Sequence, residues 1–273
     1  MPWLIPVIAL PVALMCAYVP MRVKGKMRAA LLLKTSLSVL FILYALYAVL
    51  RLPNIGGTGG APATVNFSAL AMGLFTVAGM VCGLLGDVWL DLKDIHLKSQ
   101  PYYMFSGFSS FLIGHLFYMG GFCAAFSFDW KMLPIAAACG VFLVLFIALT
   151  EKPMKLDYGR YRFITLLYSF VIMAALALPV LLALPSVTEL AFNDIADSMN
   201  RSGMFEIGGL TLRKFPAVFG AGMVSFLLSD LVLSNIYFGT SGKKPKPIMF
   251  WLNYILYYGG QFTIAASLYF LEK

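Results

Sequence analysis

The sequence predicts an all-α membrane protein: a polytopic bundle of about eight transmembrane helices with both termini on the non-cytoplasmic side. Three observations predict it. Of 273 residues, 61% are hydrophobic and 12% charged, and a soluble domain carries roughly twice that charged share. Apolar runs long enough to cross a bilayer, about 20 residues each, recur along the whole chain. Basic residues gather in alternate connecting segments, as they do when one set of loops stays in the cytoplasm.

The apolar runs fall at roughly 3–20, 30–50, 68–90, 102–127, 132–149, 163–184, 215–238 and 248–270. Several contain Gly or Pro, which bilayer helices tolerate. Nothing basic precedes the first run and Arg22 follows it, so it reads as a retained span rather than a cleaved leader. No internal repeat is visible. The chain reads as one transmembrane domain, 1–273, with extended outer loops at 51–67 and 185–213.

Charge sets the orientation. Arg22, Lys24, Lys26, Arg28, Lys93, Lys98, Lys152, Lys155, Arg160, Arg162, Lys243, Lys244 and Lys246 fall on one side, 13 in all. Arg51, Lys131, Arg201, Arg213, Lys214 and Lys273 fall on the other, 6 in all. The richer side is predicted to be cytoplasmic. The net charge of +8 therefore reflects topology, and no nucleic-acid partner is expected.

The loops and cysteines carry little chemistry. Gly56-Gly57-Thr58-Gly59-Gly60 and Ser241-Gly242-Lys243-Lys244 lack the spacing of a phosphate-binding loop. Glu189 to Met199 forms an amphipathic stretch suited to the membrane surface. Asn66-Phe67-Ser68 and Asn200-Arg201-Ser202 match the glycosylation sequon and fall outside. Cys16, Cys82, Cys123 and Cys139 all lie in apolar runs without C-x-x-C spacing, so they read as packing residues rather than disulfides or zinc ligands.

Function is sought among polar residues placed where lipid should be. An Asp at the centre of a span costs about 2.5–3.5 kcal/mol on insertion scales. Asp87, within Gly86-Asp87-Val88-Trp89-Leu90, and Asp230, within Ser229-Asp230-Leu231-Val232, both bear that cost. Asp91 and Asp94, at the exit of span three, read as solvated. His115 and Tyr118 share a face of span four, and Tyr254, Tyr257 and Gln261 form a stripe on span eight. A single membrane His or Tyr is more often a helix–helix hydrogen bond than a catalyst. Lys34 opens span two, either snorkelling outward or neutralising a carboxylate. Gly79 and Gly83 read as a close-packing face. Under the predicted topology Asp87, Asp230, Lys34, Tyr254 and Tyr257 all lie in the inner half of the membrane, with His115 and Gln261 nearer mid-depth. Distant parts of the sequence thus offer polar groups at similar depth, as the wall of an intramembrane pocket would.

These residues resemble the YhhN family, which includes the eukaryotic lysoplasmalogenases. The resemblance is carried by Lys34, Gly86-Asp87, Phe111-x-x-Gly114-His115-x-x-Tyr118, Ser229-Asp230 and Tyr257-Tyr258-Gly259-Gly260-Gln261, in that order from span two to span eight. Thr35 and Gly260 depart from the family pattern, which often has Pro and Ala there, and the two outer loops are long. The resemblance implies cleavage of the vinyl ether bond of a lysophospholipid substrate, giving a fatty aldehyde and a glycerophospho-base. It implies an integral multi-pass enzyme, in the cell membrane of a bacterium or an internal membrane such as the endoplasmic reticulum of a eukaryote, with no cofactor.

Vinyl ether hydrolysis begins with proton transfer to carbon and passes through an oxocarbenium ion. It needs a proton donor, a negative charge and a base for water, roles that two carboxylates divide in glycosidases. The resemblance places Asp87 and Asp230 in those catalytic roles, with Lys34, His115, Tyr118, Tyr254, Tyr257 and Gln261 positioning substrate or water. Other classes stay open. A metal-dependent lipid hydrolase would use His115 with Asp87 and Asp230 as ligands, although catalytic zinc sites usually gather several His and this chain has 2. A proton-coupled transporter would also bury carboxylates, and a blander reading is a lipid-binding or scaffold protein whose ancestral activity has decayed, against which the retention of both Asp residues argues.

Overall fold

The computed structural model describes residues 4–52, 67–125, 131–185, 204–207, 210–240, 242 and 245–271. The stretch Glu189 to Met199, Asn66, Asn200, most of both long outer loops and the Gly56–Gly60 run lie outside the described residues. Among the described residues there are eight long helices: α1 (Leu4–Val23), α2 (Met27–Arg51), α3 (Phe67–Ile95), α4 (Gln100–Ala125), α5 (Met132–Thr150), α6 (Arg162–Ala183), α7 (Lys214–Phe238) and α8 (Pro247–Ser267). Each coincides with one apolar run, and six of them (α2 to α7) are long and apolar enough to cross a membrane by length and composition alone. Hydropathy alone thus sets the element order. One element has no hydropathic signal: a short antiparallel hairpin of β1 (Met204–Ile207) and β2 (Leu210–Arg213), within the outer loop.

The packing order has a pattern that the sequence hides. Helices α2, α3, α4, α6, α7 and α8 each pack on the next, and α8 returns to α2, closing a ring of six. Helix α1 packs outside the ring against α2, and α5 outside it against α6. The last four helices therefore repeat the arrangement of the first four, α5 answering α1 and α8 answering α4. The sequence shows no obvious repeat, and this one lies in the packing order. With four helices per half, both halves run in the same direction, so the repeat is parallel rather than inverted.

In lipid, apolar side chains gain nothing by leaving the solvent, so helices are held by close approach and by polar contacts. The tightest seams are α3 on α4 and α7 on α8, and glycines build both. A Cβ on Gly79 would stand 2.8 Å from the Gly114 carbonyl oxygen, and one on Gly114 would stand 2.8 Å from that of Gly79. Gly222 and Gly260 face each other in the same way, at 2.8 and 2.7 Å. Gly260, a departure from the family pattern, is thus the residue that this seam requires. Gly83 differs from Gly79, because a Cβ there would make only ordinary contacts, at 3.5 Å or more. Cys16 is exposed and the other cysteines partly so, all free; Cys16 therefore faces outward rather than packing.

The connecting segments gather at one end. Arg22 at the end of α1 is ion-paired with Asp94 near the end of α3. The backbone of Thr240 donates to the Lys155 carbonyl at 2.9 Å, and Leu156 bridges Gly239. The segments after α1, α3, α5 and α7, which carry the excess of positive charge, are neighbours, and we call this the basic end.

Replacing Gly222 by Val should force its side chain against the Gly260 backbone. Thermal unfolding in detergent should show a loss of about 1–3 kcal/mol, the usual cost of overpacking. Gly259→Ala is the control and should unfold as the native protein does, because a Cβ at Gly259 meets nothing within 4 Å.

Candidate functional site: a charged chamber at the basic end

Helix α3 sets out Asp87, Asp91 and Asp94 at i, i+4 and i+7, which is one face. That face meets α2 and α1. Lys34 Nζ lies 3.1 Å from Asp87 Oδ1 and 3.5 Å from Asp91 Oδ1. Arg22 lies 3.7 Å from Asp91 and also pairs with Asp94. Lys93 completes the series, 3.0 Å from Asp94. Asp87, Asp91 and Lys34 are 2%, 1% and 4% exposed, so this is a ladder of alternating charge running from the basic end into the bundle.

The ladder corrects one expectation and decides between the two readings of Lys34. Asp91 is buried and ion-paired rather than solvated, and Asp94 is held by two cations. Lys34 does not snorkel; it turns inward and bridges two carboxylates. The spacing of 87, 91 and 94 was the available signal, because three acids on one helical face require cations opposite.

Asp87 is the most heavily partnered group. Besides Lys34, it accepts hydrogen bonds at Oδ2 from Ser38 Oγ at 2.6 Å and from the Tyr257 hydroxyl at 2.8 Å. Ser38 stands one helical turn from Lys34, so α2 supplies two partners from one face. Tyr254, a turn before Tyr257 on α8, accepts from the Tyr18 hydroxyl at 2.6 Å. The Lys34 ammonium sits 5.9 Å from the centre of its ring.

Asp230 is treated differently. Its one hydrogen-bond partner among the described residues is the Tyr168 hydroxyl of α6, and no cation stands beside it. Tyr168 carries no sequence signal of its own, because a tyrosine in a span costs little. The neighbouring Ser229 hydroxyl is buried without a partner among the described residues.

Asp87 and Asp230 line one narrow cavity, together with Lys34, Asn253, Tyr254 and Tyr257, with room for about one water. Asp230 also lines a second narrow cavity, walled mainly by apolar groups such as Leu90, Phe108, Ile147, Ile172 and Leu227. Asp230 thus stands at the junction of a polar chamber and an apolar one. Its seat is eight residues from the end of α7, as Asp87 is from the end of α3, or roughly 12 Å in each case.

The other sequence candidates stand apart from this chamber. Tyr118 donates to Gln261 Oε1 at 3.3 Å, and neither side chain lines either cavity. His115 packs among Tyr118, Tyr168 and Phe226 at 5.0–5.7 Å between ring centres. Its Nδ1 is 2.7 Å from the Phe111 carbonyl oxygen, which only accepts, so that nitrogen carries the hydrogen. Its Nε2 is buried with no partner among the described residues. His115 buttresses Tyr168 rather than meeting either Asp, and among the described residues no three His, Cys, Asp or Glu side chains converge as metal ligands.

The model of the YhhN family matches residues 29–268, from the start of α2 to just beyond α8. No curated protein and no solved structure matches the chain.

Removing the central cation tests the ladder. Lys34→Met leaves Asp87 buried without its cation and Asp91 with Arg22 alone, at 3.7 Å, and chemical unfolding should show a loss of about 3–5 kcal/mol. The double variant Lys34→Met/Asp87→Leu removes both charges and should recover much of that loss. If the single variant unfolds as the native protein does, the ladder does not hold the fold.

Proposed function

The chain belongs to the YhhN family, and on that premise we propose that it is a lysoplasmalogenase-like ether hydrolase that works without a metal. The observation that carries the reading is the shared cavity of Asp87 and Asp230, with its unequal partners. Asp87 is ion-paired to Lys34 and acts as the ionised carboxylate. Asp230 has only the Tyr168 hydroxyl and acts as the proton donor.

The steps balance as follows. The Asp230 carboxyl gives its proton to the β-carbon of the vinyl ether, and the ether carbon becomes an oxocarbenium ion. Asp87 faces that positive charge across the chamber. Water adds to the cationic carbon and its proton passes to a carboxylate, forming a hemiacetal. The carbon–oxygen bond to glycerol then breaks. The hemiacetal hydroxyl loses its proton to the pair, and the departing glycerol oxygen takes one. A fatty aldehyde and a glycerophospho-base result, one water is consumed, and Asp230 is protonated again.

Tyr257 and Lys34 hold Asp87 in place through its two oxygens, and Tyr254 borders the space that water would occupy. Asn253 lines the chamber while its amide donates to the Ser229 carbonyl at 2.8 Å, which fixes the turn of α7 that carries Asp230. The apolar side chains beside Asp230 would part to receive a single hydrocarbon chain, and Tyr118, Gln261 and His115 support the seam behind the site. By this reading the lipid enters from the leaflet at the basic end, the cytoplasmic one by charge.

Two measurements test the reading. Asp87→Asn and Asp230→Asn, each still folded, should lower aldehyde release from a lysoplasmalogen at least about 100-fold, the lower range for a lost acid or base. Fatty acid release from an ester-linked lysophospholipid should be absent in the native protein, and a chelator should leave aldehyde release unchanged. In heavy water, the aldehyde should carry one deuterium on the carbon next to the carbonyl. An unlabelled aldehyde would rule out protonation at carbon.

A further inference from the structure

A third cavity opens at the basic end, and nothing in the proposed chemistry uses it. It is an open bowl of about 300 Å³ walled by Tyr158, Tyr161, Tyr237 and Phe238, with Asp157 and Arg160 on its rim. Three features mark it as a built site. Its floor is shared: Tyr237 and Phe238 also line the apolar cavity, and Tyr237 lines the chamber of Asp87 and Asp230 as well. Its rim is held before any ligand arrives. Asp157 N donates to the Phe238 carbonyl at 2.9 Å, Leu156 bridges Gly239, and Gly159 N donates to Asp157 Oδ1 at 2.9 Å. Its walls are rings at close quarters, with Tyr158 and Phe238 4.8 Å apart and Tyr161 and Phe238 6.1 Å apart. Burial pushes the Tyr158 phenol above its usual range, so it stays a neutral hydroxyl.

The rim carries one charge of each sign. Asp157 and Arg160 are both exposed, and neither is ion-paired among the described residues. The Arg160 guanidinium lies 5.8 Å from the Tyr161 ring centre. A cation meeting aromatic faces and a carboxylate is favoured in such a box, and an exposed Arg takes phosphate. Distance fits as well. Asp230 and Tyr237 are seven residues apart on α7, roughly 10 Å at 1.5 Å per residue, which is about the reach from a glycerol ether carbon through a phosphate to a terminal amine.

We propose that this bowl is the head-group subsite for a zwitterionic lysolipid, with Arg160 taking the phosphate and Asp157 and the ring walls taking the terminal ammonium. The proposal rests on the reading of the chamber as the reaction site. It predicts an enzyme that prefers phosphocholine or phosphoethanolamine head groups over a bare glycerol.

The test uses the full-length protein in detergent and the variants Arg160→Ala and Asp157→Asn, both on the exposed rim. Lys98→Ala is the control, since Lys98 is an exposed cation that does not line the bowl. For a vinyl ether lipid with a phosphocholine head, Arg160→Ala should raise KM about tenfold relative to the head-less alkenylglycerol, as expected for one lost charge-assisted contact. Asp157→Asn should act in the same direction, and Lys98→Ala should leave the ratio unchanged. Equal effects on both lipids, or equal effects of Arg160→Ala and Lys98→Ala, would overturn the subsite. If the native protein hydrolyses no vinyl ether, the reading of the chamber fails. The subsite is then decided separately with a saturated-ether lysophosphocholine, which cannot be cleaved. Weaker binding to Arg160→Ala than to Lys98→Ala supports the subsite, and equal binding sinks it.

Discussion

The structure depends on the ion pair between Lys34 and Asp87. A lone charge in the interior of a helical bundle costs several kcal/mol, and the pair is tolerated only when geometry and further hydrogen bonds satisfy both partners. Here Ser38 and Tyr257 complete Asp87, and Asp91 shares Lys34. These contacts tie α2, α3 and α8 together at one point of the ring. Arg22, bonded to both Asp91 and Asp94, then fastens α1 to the outside of the ring. The ladder is thus a way of bringing one carboxylate deep into a bundle with a cation at every step of the descent, although Asp91 Oδ2 is left without a hydrogen-bond partner among the described residues.

The same backbone device serves the second carboxylate with different chemistry. Gly79 precedes Asp87 by eight residues, and Gly222 precedes Asp230 by the same number. Each glycine presses its helix against the following partner helix, and each Asp then projects inward about two turns later. The halves differ in what meets the acid: α2 offers a lysine to Asp87, whereas α6 offers a tyrosine to Asp230. Two equal carboxylates in one chamber would do one job. Under the proposed function, unequal partners set on equivalent scaffolds would separate a charged role from a neutral one.

Much of this was legible in the sequence, for physical reasons that differ by residue. Helices announce themselves because lipid demands about 20 apolar residues per crossing, and the eight runs agree with α1 to α8 to within a few residues. Asp87 and Asp230 stood out because burial makes them expensive. Asp91 did not, because it lies where an apolar run gives way to charge and looks like a residue at the surface; α3 continues to Ile95 and carries it inside. Tyr168 was invisible because phenols are cheap in a span. The repeat was hidden because two glycines and two acids carry it among residues otherwise unalike. His115 had the opposite fate: a polar residue at mid-depth invites a catalytic role, yet its nearest neighbours are rings.

Depth gives the arrangement its sense. An ether bond at the first glycerol carbon of a lysolipid lies just below the head groups, not at the bilayer centre. Under the proposed function that is the level Asp87 and Asp230 would serve, roughly 12 Å inside the ends of their helices, with apolar side chains beside them and a charged rim above. A lipid bound there need not be lifted far out of its leaflet. Its chain stays among apolar side chains, its head remains near water, and only the bond between them is brought to the carboxylates. A deeper site would have to drag the head group through hydrocarbon, and a shallower one would flood the chamber with water and weaken the contrast between a paired and an unpaired acid. The buried ladder sets the depth at which Asp87 is held, and the proposed reaction asks that an ether bond be met at that depth.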